Sequence, residues 1–547
     1  MRIGDSAGAA EKPTDAANSV KIGLGPKKEC TIFGKEGTYN IIPDGEDVII
    51  SLGYVCWADG NSSRETLLQI LNSFQESQIG DLKKRLVGEY TLLVKKGSKI
   101  CIFSDFMGVR NLFYSDDGKT VSSSFSRLED TLGTGEGDLD PYKVVEFIAM
   151  KKVLYAAWLG SSTYHRRIKW LLPYEYLVFD TENGGFRISS VVYSIDNRKQ
   201  HDCSSLSNEL VSILTQIIAR REFKQLKVAA SLTGGHDSRL VAAIARNEFP
   251  SIHFRTAASS GSPSTLKDLK ISRKVAQIQH VPLDVFWFKP ERDVERFVEL
   301  TEGFSPVFNQ TITPLLDAAG TYALGFGGAF GTESFMELPW NSIDAFIEAK
   351  IAISKQTLKM DDGFWQVFRE SLQGEFLRIK EHFHLTISDD RDYIRLFGLV
   401  VTARYGSFIL SAFNRMGYYF DPYGSYAVTD LALRVPPALW GNHRRLGGNS
   451  LVQKAAMSKV NRRAGRPLTY NHFRPMLPLR AVTFPKYLLG YGLQIGNVIA
   501  ARYTGGRKKP DRTNLPGGYY LSDGWEARYI ERINIRYGKL LIEHPPI

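Results

Sequence analysis

Between residues 30 and 195 the chain is built of short apolar runs set off by Gly, Asp, Asn and Ser. DVIISLGYV (47–55), EYTLLVKK (89–96), SKICIFSD (98–105), NLFYS (111–115) and EYLVFD (175–180) are the clearest. Their length and β-branched content predict strands, with helices near 63–75 and 141–152. After about residue 200 the pattern changes. Helical periodicity, as in LSNELVSILTQIIARREF (206–223), alternates with the strand-like runs KVAASL (227–232), SIHFRT (251–256) and YALGF (322–326). Such alternation predicts a parallel sheet with helices on its faces. The polar SIDNRKQHDCSS (194–205) marks the boundary between two α/β units. Residues 1–29, polar and rich in Gly and Ala, are expected to form a loose tail.

The 547 residues are 43% apolar and 23% charged, a globular balance with room for two or three domains. Four scattered cysteines form no CxxC pair, which argues against a disulfide framework or a cysteine zinc site. With no apolar core for a secretory signal near Met1, this suits a cytoplasmic protein. The net charge of +11 is concentrated in one region. Leu431–Pro510 holds fifteen Lys and Arg and no acid, while the rest of the chain has 54 basic residues against 58 acidic ones. That region is expected to face something anionic. The apolar YLLGYGLQIGNVIAA (487–501) beside it is too short to span a membrane, and leaves peripheral membrane contact open as one use of the charge.

Chemistry concentrates at one strand-to-helix corner, between KVAASL and HDSRLVAAIARNEF (236–249). There Thr233-Gly234-Gly235 permits close backbone approach to a ligand. The following helix aims its free N–H groups and positive dipole end at the same space, a combination that suits phosphate. No Gly-Lys-Ser/Thr follows, so this is not a Walker loop. Asp237 beside a phosphate would be repelled unless a cation lay between them, and Mg²⁺ meets that need. Thr233 and Ser238 add hydroxyl donors.

The six residues Thr233-Gly234-Gly235-His236-Asp237-Ser238 resemble the SGGxDS pyrophosphate loop of ATP pyrophosphatases, with Thr for the first Ser. Within that group the chain is similar to asparagine synthetase and its relatives. FRTAASSGSPSTLKDLKISRKVAQ (254–277) resembles the next strand and an acid-bearing helix, with Asp268 at the acidic position. GFGGAFGTESFMELPW (325–340) resembles a second Gly-rich loop, with Glu333 nearest its acid. YYFDPYGSYAVTDLALRVPPAL (418–439), with Arg404 upstream, resembles a further family block carrying Asp421, and LVQKAAM (451–457) puts Lys454 at a family lysine. In the first half, GEYTLLVKKGSKICIFSDFMGVRNLFYS (88–115) resembles the strand pair of a glutamine-hydrolysing domain, matching at Asp105, Gly108 and Tyr114, with Ser104 replacing an Arg.

This resemblance implies two domains. Residues 30–195 would be a degenerate glutamine amidotransferase-like domain, an Ntn-hydrolase-like αββα sandwich. Residues 200–547 would be a parallel-sheet, adenine-nucleotide α-hydrolase-like (Rossmann-like) synthetase domain. It implies ATP and Mg²⁺ as cofactors. Ser231, Leu232, Thr233, Gly234, Gly235, His236, Asp237, Ser238, Arg239 and Thr256 would bind nucleotide, Asp237 and Glu333 would hold metal, and Lys454 and Arg404 would be catalytic. A glutaminase of this kind needs an N-terminal cysteine. As written the chain starts Met1-Arg2, and Cys30 in CTIFG resembles the mature family start but lacks room for the glutamine-binding segments before Gly53. The expectation is therefore an amide ligase without glutaminase activity. It would join a small-molecule, glycan or peptide carboxylate to an amine, with no nucleic-acid partner. A tRNA-modifying enzyme with the same loop, or a non-catalytic scaffold, remain the alternatives.

Overall fold

The computed structural model describes residues 39–58, 62–133, 138–140, 158–260, 262–289, 339–355, 360–401, 418–440 and 450–465. It also describes the backbone of 2–5, 19–25 and 28–33, and separate positions within 142–150, 293, 322–328, 335 and 410.

In the first half two antiparallel sheets lie face to face. One has the order Phe186–Ser190, Glu175–Asp180, Lys99–Ser104, Tyr90–Lys96, Asp47–Gly53, Tyr39–Asp44. The other has the order Ile168–Trp170, Phe113–Ser115, Val121–Ser122, Arg2–Asp5, Lys28–Phe33, Ser19–Gly25. Val48, Ile50, Leu93 and Ile102 pack between the sheets with Tyr114 and Val121. The alternate residues Ile49, Leu92 and Phe103 turn outward into a core shared with Leu67, Ile70 and Leu71 of helix Ser63–Ser73. Phe113 and Trp170 leave the second sheet outward to meet Phe125 and Leu128 of helix Phe125–Leu132. The layers therefore run helix, sheet, sheet, helix. A strand buried on both faces reads as a continuous apolar run, which is why VIISL shows no alternation.

The tail expectation is corrected. Within residues 1–29, Arg2–Asp5 and Ser19–Gly25 are strands flanking Lys28–Phe33, and Cys30 stands in register with Ile3 on one side and Ile22 on the other. Val20, Ile22 and Leu24 alternate with Ser19, Lys21 and Gly23. That two-residue period was legible but was outweighed by the surrounding Gly and Ala content.

In the second half, helix α1 is Cys203–Ile218, and strands β1 (Val228–Ser231), β2 (His253–Ala258), β3 (Leu283–Trp287), β4 (Leu324–Phe326) and β5 (Tyr418–Phe420) form a wholly parallel sheet. Its order is β3-β2-β1-β4-β5. Helices α2 (Asp237–Glu248) and α3 (Pro263–Gln279) make the first two crossovers, and α4 (Tyr426–Arg434) and α5 (Leu451–Asn461) follow β5. The direction in which successive strands are added reverses between β1 and β4. Ligands of open α/β sheets bind at such a switch point, beyond the carboxyl ends of the strands.

The halves meet through buried and partly buried polar contacts. The Tyr54 hydroxyl donates to Glu222, the backbone N–H of Ser63 donates to Glu222 at 3.1 Å, and that of Asp421 donates to Glu89 at 2.9 Å.

Candidate functional site

β1 enters the switch point as a fully buried Val-Ala-Ala, and α2 leaves it with Leu240, Val241 and Ile244 packed into the same core. β4 runs on into Gly327-Gly328, and Gly328 lies against the start of α2. A Cβ on Gly328 would lie 2.9 Å from the Ser238 nitrogen and 2.9 Å from the Asp237 carbonyl carbon. Gly327 is fixed by its N–H, which donates to the Phe420 carbonyl at 2.9 Å. Two glycine-bearing strand ends thus converge on the first turn of α2.

The loop is largely bonded to itself. The N–H of Leu232 donates to the Arg255 carbonyl at 2.8 Å, that of Thr233 to Ser238 Oγ at 3.1 Å, and that of Gly235 to Thr233 Oγ1 at 3.1 Å. The Gly234 N–H donates to Asp268 Oδ1 at 2.9 Å, and the Gly234 carbonyl accepts from Arg239 Nη2 at 2.9 Å. This changes the expected cradle. The amides of 233–235 are engaged within the protein, and the N-cap His236 of α2 gives no side-chain cap. Leu232 and Arg239, expected at the nucleotide, are fully buried, and Thr256 is nearly so. Leu232 belongs to the core and Arg239 holds the loop from beneath.

Asp237 is 7% exposed at the start of α2. Its Oδ1 accepts from Gln453 Nε2 at 2.7 Å and lies 3.2 Å from His236 Nε2. Gln453 comes from α5, which packs on α1 and α2. The adjacent Lys454 is 1% exposed, so it is no ordinary surface lysine. Sequence reasoning passed over Gln453, because a glutamine in LVQKAAM carries no signal of what it touches. Lys459 instead turns to α1, donating to Ser207 Oγ at 2.7 Å and the Ser204 carbonyl at 2.8 Å. Glu333, Arg404 and the basic residues beyond 465 lie outside the described residues.

Burial pushes the Asp268 carboxyl up to about 6, against the opposing pull of the Gly234 N–H and the Arg239 guanidinium. Burial draws Arg239 down to about 10, which leaves it charged at neutral pH. On the face of the sheet beneath the loop, Arg255 lies 5.3 Å from the Tyr419 ring centroid, with Ser231 Oγ 3.4 Å from its Nε. Gly325 leaves room for that guanidinium to cross β4. Burial raises the Tyr419 hydroxyl to about 12.

In the first half, Asp105 accepts from the N–H groups of Met107 and Val109, each at 3.1 Å, and of Arg110 at 3.3 Å. It shapes the turn in which Gly108 adopts φ +65° against Pro173. Among the described residues no cluster of three metal-ligating side chains occurs, and no helix is long and apolar enough to cross a membrane.

No family model and no curated protein matches the chain. Solved structures give partial likenesses. Glutamine phosphoribosylpyrophosphate amidotransferase from B. subtilis is 14% identical over 42% of this chain and 51% of its own, with a TM-score of 0.19. The chain therefore spans about half the length of that enzyme. NMN synthetase from Francisella tularensis is 13% identical over 38% of this chain and 97% of its own, with a TM-score of 0.21. The U34-tRNA thiolase NcsA from Methanococcus maripaludis is 8% identical over 60% of this chain and 89% of its own, with a TM-score of 0.20. These scores are below the level at which two chains share a fold.

Proposed function

We propose that the protein is an ATP-dependent amide ligase that activates a carboxylate as an acyl-adenylate and passes the acyl group to an amine. The carrying observation is the convergence of a buried acid, Asp237, the first turn of α2 and the side-chain-free Gly328 at the switch point of a parallel sheet. Gly328 brings no side chain to the start of α2, and a helix N-terminus of this kind suits phosphate oxygens. The acidic donor set suits Mg²⁺, which usually takes one or two carboxylates together with substrate phosphates. Asp237 would supply one, and Glu333 is the candidate for a second. The ion would neutralise charge on the phosphates of ATP.

A substrate carboxylate oxygen attacks the α-phosphorus of ATP, the bond to the bridging oxygen breaks, and pyrophosphate leaves. An amine nitrogen then attacks the acyl carbon, AMP leaves, and the amine proton passes to solvent. Neither step needs a covalent enzyme nucleophile. What the chain supplies is position and charge: the α2 amides hold the leaving phosphates, Gln453 and His236 orient the Asp237 carboxylate, and the buried Lys454 beside Gln453 offsets developing negative charge. In this reading the first half is an Ntn-like layer without glutaminase activity, and the basic C-terminal region recruits an anionic acceptor.

ATP–pyrophosphate exchange with pooled carboxylates tests this. The wild-type chain should exchange in the presence of Mg²⁺, and Asp237→Asn should abolish exchange with the fold intact. An Asp237→Asn variant that exchanges like the wild type sinks the assignment.

A further inference from the structure

Gly234 sits between two peptides, each held by a charged side chain. Its N–H points to Asp268 on α3 at 2.9 Å and its carbonyl to Arg239 on α2 at 2.9 Å. We infer that Asp268 and Arg239 are a positioning pair: they hold the two peptides that flank Gly234 and so fix the loop backbone before a ligand arrives. This rests on the nucleotide-site reading above.

Two successive glycines would otherwise leave the loop many backbone conformations. Fixing one of them before the ligand arrives removes that cost from binding. A carboxylate oxygen and a phosphate oxygen are equivalent acceptors for a backbone N–H. Asp268 therefore already fills the acceptor position at Gly234. An acid this close to an anion site would normally repel its ligand, but the opposite charge of Arg239 acts on Asp268 and offsets it. β2 and β3, against which α3 packs, carry other charged groups in His253, Arg255 and Asp284. Of these elements and α2, it is Arg239 that acts electrostatically on Asp268. The pair touches no substrate in this arrangement; it acts through the loop.

The test is amide hydrogen exchange across residues 228–240 of the full-length protein without nucleotide, between pH 5 and 8. Asp268→Ala should speed exchange at Gly234 at least tenfold. Asp268→Asn keeps an acceptor oxygen and should restore most of the protection. After correction for intrinsic exchange, wild-type protection should weaken as the pH falls through about 6 and the carboxyl protonates. Asp268→Asn should show no such step. Equal exchange at Gly234 in the wild type and Asp268→Ala overturns the inference. Calorimetric titration with Mg-ATP separates it from the function reading. A wild type that binds no ATP sinks the nucleotide site, while the exchange result still decides the clamp. A wild type and an Asp268→Ala variant that bind ATP equally tightly overturn the pair's role.

Discussion

Asp268 does two things whose pH dependences oppose each other. Ionised, it is the better acceptor for the Gly234 N–H. Burial nevertheless lifts its carboxyl from an ordinary value of 3.8 to about 6, so the folded protein holds this proton more tightly than the unfolded chain. Its contribution to stability is then fully present below about pH 4 and is lost as the pH rises through about 6. At pH 8 the wild type carries the cost of a buried charge. Asp268→Asn should accordingly be more stable than the wild type at pH 8 by about 2 kcal/mol, the size of a two-unit shift discounted for partial solvation. The gap should close below pH 4. Urea midpoints at pH 4, 6 and 8 measure this, and a variant that is less stable than the wild type at pH 8 contradicts it. None of this was legible beforehand. The sequence set Asp268 on a helix near a Gly-rich loop, but only the crossover from β2 through α3 brings its carboxylate to the Gly234 amide. Lys454 shows the same limit: its position was marked by resemblance, whereas its burial follows from how α5 packs on α1 and α2.

At the scale of elements, local signals carried far. Val228–Ser231, Asp237–Glu248 and His253–Ala258 lie where apolar run, glycine corner and helical period set them. What those signals lack is strand order, and the order makes the site. β1 ends at Ser231 and β4 begins at Leu324, 93 residues later in sequence, yet the strands are hydrogen-bonded neighbours. Gly328 consequently presses on the first turn of α2. Gly328→Ala places its new carbon 2.9 Å from the Ser238 nitrogen, a backbone atom that cannot rotate away. The two strand ends must separate. The expected outcome is a loss of pyrophosphate exchange of at least tenfold with a stability cost of about 1–3 kcal/mol, typical of overpacking. Unchanged exchange would show that this close approach does not shape the site.

At the scale of the whole molecule, the polar segment 194–205 reads as a domain boundary, and the packing is continuous across it. One continuous core takes in Ile49, Leu67 and Leu92 from the first half and Val228, Val241 and Phe326 from the second. Strand Tyr193–Ile195, at the boundary itself, pairs in parallel with Phe383–Leu385. Tyr54 packs on Phe223 with ring centroids 4.7 Å apart, and its hydroxyl, held well above its usual range by burial, donates to Glu222. Glu222 also accepts from the Ser63 N–H, at the start of a first-half helix. A shared core of this kind is expected to couple the unfolding of the two halves. Urea unfolding followed by far-UV circular dichroism and by tryptophan fluorescence should give one coincident transition, since tryptophans lie in both halves, among them Trp57 and Trp170 in the first and Trp365 and Trp440 in the second. Glu222→Ala leaves the Tyr54 hydroxyl and the Ser63 N–H without their acceptor. It should lower stability by about 1–3 kcal/mol, the cost of stranding partly buried donors, and shift both probes by the same amount. Two separable transitions, or a shift seen by one probe alone, would mean that 194–205 is a true linker and that the first half can come away without disturbing the switch-point site.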